Sequence, residues 1–117
     1  MQKIYYLSTC DTCRKILKEL DVPSGYNLQD IKEEPVTENQ LAEMRKFSGN
    51  YENLFSKRAR LYKERDLKNK DLGEEDYKKL LLEHYTFLKR PVIINKGQIF
   101  IGNSRATVAA AKKSVNE

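Results

Sequence analysis

Two cysteines, Cys10 and Cys13, lie in the stretch "YLSTCDTCRKIL" from Tyr6 to Leu17, and the cations Arg14 and Lys15 follow them directly. Two thiols at this spacing suit three kinds of chemistry: half of a metal clip, a redox pair that closes to a disulfide, or two small buried hydrophobes. The surrounding elements decide among them. A cysteine placed where a strand ends and a helix begins meets the unpaired N–H groups and the positive end of the helix dipole, and its pKa can fall from about 8.5 to below about 7.5. It is then a thiolate, and a nucleophile, at neutral pH. Cys13, three residues on, is within reach of it across the first helical turn. A closed structural zinc site needs four ligands, and the only histidine in the chain is His84, which reads as a packing residue on an apolar helix face. The same strand-to-helix turn can hold phosphate-like oxygens, so arginines with planar forks are the additional groups such a site would want.

The elements that must position these residues can be read in turn. Lys3 to Leu7 is short, apolar and aromatic, as a buried first strand would be. From Asp11 to Leu20 the apolar positions Cys13, Ile16, Leu17 and Leu20 recur at helical spacing, and Pro23 and Gly25 close that helix. Tyr26 to Ile31 alternates weakly and is expected as a second strand. In "PVTENQLAEM" Thr37 and Gln40 form a capping box for a helix whose buried stripe begins with Leu41 and Met44, and "FSGN" stops it. Tyr51 to Lys70 is dense in charge and reads as short helices with a solvated face. Tyr77, Leu80, Leu81, His84, Tyr85 and Leu88 fall on one face of a further helix, with Glu74 and Glu75 at its favourable end. "RPVIINKGQIFIG" predicts a hairpin that opens at Pro91 and turns at Lys96-Gly97. Asn103 or Ser104 caps a last helix from Arg105 to Lys113. A βαβ beginning, inserted helices and a ββα end make an α/β chain of the thioredoxin-like type: a mixed sheet with an inserted helical subdomain at about residues 37–88, all within one domain of residues 1–117.

The chain has 117 residues, 39% of them hydrophobic, enough for one compact core. No run approaches the roughly 20 apolar residues of a membrane span, and the first residues lack a signal-peptide pattern, so a cytoplasmic protein with no membrane partner is expected. In that compartment thiols stay mostly reduced, and a cysteine pair is more often catalytic, redox-sensing or metal-binding than a permanent staple. Lys and Arg total 22 against 17 Asp and Glu, a formal charge of +5 that favours anionic ligands. No helix-turn-helix or zinc-finger pattern points to direct DNA binding.

The stretches "YLSTCDTCRKILKELDV", "DIKEEPVTENQLAEM", "LFSKRARLYKE" and "LKRPVIINKGQIFIG", in this order, resemble the glutaredoxin-coupled arsenate reductase and Spx family over nearly the whole chain. The resemblance implies a thioredoxin-like fold. It matches Cys10 to the cysteine that attacks arsenate, places Arg90 at an oxyanion-binding position, and makes the Arg90–Pro91 bond cis. Cys10, Cys13 and Arg90 are then the expected catalytic residues, and Thr12, Arg14, Arg58 and Arg90 the oxyanion-holding set. No bound cofactor is implied; glutathione or glutaredoxin is the expected reductant, and a small oxyanion or thiol compound the substrate.

Ser56 and Asn103 stand where arsenate reductases of this family carry two further arginines, with Arg58, Arg60 and Arg105 nearby in sequence. "SKR" at Ser56 to Arg58 and the second cysteine are closer to the Spx branch and to the YffB-type relatives. Spx-type regulators use Cys-x-x-Cys as a redox switch and bind the RNA polymerase α subunit through a surface that includes a glycine in the inserted helices. Gly49 falls in roughly that region, although a helix C-cap explains it equally well. Two functions are therefore expected: an arsenate reductase-like thiol oxidoreductase, or a redox-sensing regulator.

Overall fold

The computed structural model describes residues 2–117. Its contacts divide the chain into two compact units, one of residues 1–34 with 90–117 and one of residues 35–89. The first contains strand β1 (Gln2–Tyr6), helix α1 (Asp11–Leu20), strand β2 (Asn27–Asp30), the hairpin strands β3 (Val92–Asn95) and β4 (Gln98–Ile101), and helix α5 (Arg105–Val115). The second contains α2 (Glu38–Ser48), α3 (Arg60–Glu64) and α4 (Glu74–Glu83), with single 3-10 turns at Glu52–Leu54, Leu67–Asn69 and Tyr85–Phe87.

The four strands form a mixed sheet in the order β2-β1-β3-β4. β1 runs parallel to β2, with Tyr6 opposite Asp30, and antiparallel to β3, with Ile4 opposite Ile93. The pleat sends Ile4 and Ile93 to the side of α1 and α5, where they form a core with Ile16, Leu20, Val108, Ala111 and Val115. Lys3, Tyr5, Val92 and Ile94 occupy the opposite face and are also buried. The strands nearest the centre therefore bury both faces, which explains why "VIIN" reads as a continuous apolar run rather than an alternation. Asn95 closes that run. Fully buried, it donates from Nδ2 to the Ser114 hydroxyl and carbonyl in the last turn of α5. The hairpin turn falls at Lys96-Gly97, both with positive φ (51° and 77°), the conformation of a type I′ turn, which glycine adopts readily.

In the second unit, Thr37 and Gln40 exchange both hydrogen bonds of the capping box expected for α2. Gly49 ends that helix at φ 93° and donates its N–H to the Arg45 carbonyl, a C-cap role. Phe55 stacks on Phe87 (5.2 Å between centroids) and meets Tyr77 and Tyr62 at its edges (4.9 and 5.9 Å). Such pairs contribute about 0.5–1.5 kcal/mol each beyond the area they bury. The backbone around them is paired as well. Ser56 N–H reaches the Phe87 carbonyl (2.7 Å) and Lys89 N–H the Leu54 carbonyl (2.8 Å).

The last helix of this unit is shorter than its apolar spacing suggests. α4 stops at Glu83; His84 is extended (φ −152°, ψ 136°), and its Nδ1 accepts from Thr86 N–H to start a 3-10 turn. Tyr85 and Leu88 therefore leave the helical face on which the sequence put them. Leu88 instead bridges to Phe55, and this pairing wins over continuation of the helix.

Candidate functional site

The chain leaves β1 at Tyr6 and turns through Ser8 and Thr9, where Cys10 N–H closes on the Leu7 carbonyl at 3.0 Å. Cys10 then takes the N-cap position of α1, extended at φ −96° and ψ 115°, and its carbonyl accepts from Arg14 N–H at 3.1 Å. An N-cap residue holds its side chain over the free N–H groups of the first turn. Here that side chain is a thiol rather than the usual hydroxyl or carboxylate. Cys13, on the inner face of the same turn, is fully buried, whereas Cys10 is half-buried, and both thiols are free.

The two sulfurs experience different fields. Burial opposes ionisation of Cys10, but hydrogen bonding from the Cys13 backbone N–H and thiol and from the Arg90 guanidinium, together with the guanidinium charge, outweighs it and holds the thiol below its ordinary value. Cys13 shows the reverse. Burial, strengthened by the charge of Cys10 and its hydrogen bond, pushes this thiol up to about 11, against smaller opposing effects of the Leu7 backbone and Arg90. Cys13 therefore holds its proton more tightly than Cys10 does, and of the two thiols it is the one that donates to the other.

Arg90 reaches this turn from the start of the hairpin, directly before the buried Pro91, and the Arg90–Pro91 bond is cis. Thr12 is exposed on the first turn of α1. Arg14, one turn on, donates from Nη1 to the Ser8 carbonyl (3.1 Å) and pairs with Asp11. Asn103 is exposed between Gly102 and the Ser104 cap of α5, and Arg105 is exposed in the first turn of that helix. Ser56 and Arg58 belong to the second unit. There Ser56 Oγ accepts from the Arg58 N–H, the Arg58 side chain is exposed, and Arg60 pairs with Glu64 at 3.6 Å. Among the described residues no group of three or more His, Cys, Asp or Glu is arranged to hold a metal ion.

Two residues that spacing alone did not single out also belong to the turn. Asp30, at the end of β2, accepts from the Ser8 hydroxyl (2.5 Å) and from the Ser8 and Lys32 N–H groups (3.3 and 3.2 Å). The Ser8 hydroxyl, these N–H groups and the charge of Lys32 hold its carboxyl below the usual range against the opposing effect of burial. The one signal in the sequence was an aspartate closing a weak strand, and it acquires meaning only through the parallel pairing of Tyr6 with Asp30.

Comparison with known proteins agrees with this arrangement. The model of the ArsC family matches residues 5–111. The global transcriptional regulator Spx 1 of Bacillus cereus is 24% identical over 106 residues, covering 87% of this chain and 79% of the regulator. Among solved structures, an ArsC family related protein from Bacteroides fragilis superposes with a TM-score of 0.78 at 22% identity, covering 94% of this chain and 97% of that one. Arsenate reductase from Vibrio cholerae gives 0.72 at 23%, covering 94% and 98%. These structures share the thioredoxin-like arrangement of sheet and helices described above. With the family pattern matched from the middle of β1 to the last helix, the chain belongs to the ArsC family.

Proposed function

We propose that this protein is an arsenate reductase-like thiol oxidoreductase in which the Cys10 thiolate attacks an oxyanion or a disulfide. The observation that carries the reading is the split between the two thiols, with Cys10 held low at the N-terminus of α1 beside Arg90 and Cys13 pushed up to about 11. A nucleophile, a positive field around it and a nearby protonated thiol are what such chemistry requires. Family membership and the likeness to the Vibrio arsenate reductase add support.

For arsenate the steps balance as follows. Cys10 Sγ forms a bond to arsenic(V), and one oxygen departs as water after taking up protons. A second thiol then attacks Cys10 Sγ, the S–As bond breaks with its electron pair remaining on arsenic, and arsenite and a disulfide result. Arsenic gains two electrons and the two thiols lose them. The second thiol is Cys13 or glutathione, and glutaredoxin or a similar thiol reductant regenerates the enzyme. Arg90 and the helix N-terminus stabilise the oxyanion, with Thr12 and Arg14 as further candidate donors.

The measurement that tests this is the pH dependence of Cys10 alkylation in a Cys13→Ser variant, with and without arsenate. A midpoint below that of a free thiol together with protection by arsenate supports the oxyanion-binding nucleophile; an ordinary midpoint without protection removes it.

The Cys-x-x-Cys pair and the similarity to Spx 1 favour a second reading, a redox-sensing regulator that binds the α subunit of RNA polymerase. Capture of the isolated polymerase α polypeptide by the oxidised protein and not by the reduced one would select it over the enzyme.

A further inference from the structure

We infer that Asp30 and Ser8 are positioning residues for Cys10, forming a tether that clamps the turn between β1 and α1 to the end of the edge strand β2. The inference rests on the reading of Cys10 as an activated nucleophile. All three polar groups of Ser8 are engaged: its hydroxyl and its N–H donate to the two carboxylate oxygens of Asp30 (2.5 and 3.3 Å), and its carbonyl accepts from Arg14 (3.1 Å). The turn is therefore held from the sheet on one side and from α1 on the other. β2 is fixed at the same point, because Ile31 N–H donates to the Tyr6 carbonyl at 2.9 Å and Lys32 N–H to Asp30. Ser8 stands two residues before Cys10, so a tilt of this turn alters where Sγ lies over the first-turn N–H groups and how far it is from Arg90. A fixed entry angle is what lets an N-cap side chain use those donors.

Asp30 does not act on the thiol through its own charge, since the groups that shift Cys10 are Cys13 and Arg90. Loss of a nearby carboxylate would by itself favour the thiolate. The positioning role predicts the opposite direction, and Ser8→Ala, which leaves every charge in place, isolates it.

The experiment uses the full chain in a Cys13→Ser background, with iodoacetamide as the probe of Cys10, and compares Ser8→Ala, Ser8→Thr, Asp30→Ala and the Ser8→Ala/Asp30→Ala double variant. Alkylation at pH 7 should slow about threefold or more in each alanine variant as the thiolate fraction falls. The double variant should be no slower than the worse single one, because both remove one contact. Ser8→Thr, which keeps the hydroxyl, should restore the parent profile. An unchanged alkylation profile accompanied by a lower thermal midpoint makes the tether purely structural and overturns the inference. Should Asp30→Ala fail to fold, the Ser8→Ala and Ser8→Thr pair decides alone. A parent background that titrates as an ordinary thiol sinks the nucleophile reading and the inference together, whereas a low parent value with unresponsive variants sinks only the inference.

Discussion

At Cys10 the guanidinium of Arg90 and the donors of Cys13 act on one sulfur, so removing either should appear in the same titration. Arg90→Met takes away both a hydrogen bond and a charge, and is expected to raise the alkylation midpoint and to weaken protection by arsenate. Arg90→Lys returns the charge without the planar fork and should recover the midpoint in part while leaving protection poor, because bidentate recognition of an oxyanion needs the guanidinium geometry. Equal recovery of both by lysine would mean that Arg90 serves only as a point charge. Asn103 bears on the same question: its side chain cannot supply a cation, so on the proposed reading the oxyanion would rely on the helix N-terminus and Arg90.

Among the elements, those fixed by local rules were legible, whereas a helix end set by a distant pairing was not. The helix from Asp11 to Leu20 follows its apolar stripe, and the capping box at Thr37 and Gln40 forms as written, because capping is decided within four residues. Thr37→Ala should therefore destabilise the protein by about 1 kcal/mol in chemical denaturation, without changing Cys10 alkylation; an effect on alkylation would contradict a purely local role. The helix expected to continue through Leu88 stops at Glu83 instead, because Leu88 finds its partner in Phe55, more than thirty positions earlier in the chain. The site divides in the same way. The placement of Cys10 and Cys13 at the start of α1 was legible because a helix N-terminus is a local event, whereas the approach of Arg90 to this turn was expected only through family resemblance. Asp30 was missed, since strand register cannot be read from either strand alone.

For the molecule as a whole, the two thiols give opposite dependences of stability on pH. The unfolded chain releases the Cys13 proton near the ordinary value of 9.0, whereas the folded chain keeps it to about 11. Between those values the native state binds more protons, so this contribution is fully present below about pH 9 and is lost as pH rises toward 11. Cys10, held low, contributes in the other sense: its share is present above its ordinary value and is lost as pH falls through the folded one. The difference in unfolding free energy between the wild type and Cys13→Ala should accordingly narrow between pH 9 and 11. Parallel curves across that window would show that the folded environment does not retain the proton.

The order in which the sheet draws on the chain has a consequence for biosynthesis. β1 is flanked by β2, which follows it closely, and by β3, which begins only at Val92. On the ribosome the βαβ segment and the Ser8–Asp30 contact have all their residues in hand once the first third of the chain has emerged. Arg90 arrives much later, with the hairpin. A nascent chain that ends before it carries Cys10 without the guanidinium that helps hold its pKa down, so that share of the shift waits for the C-terminal third.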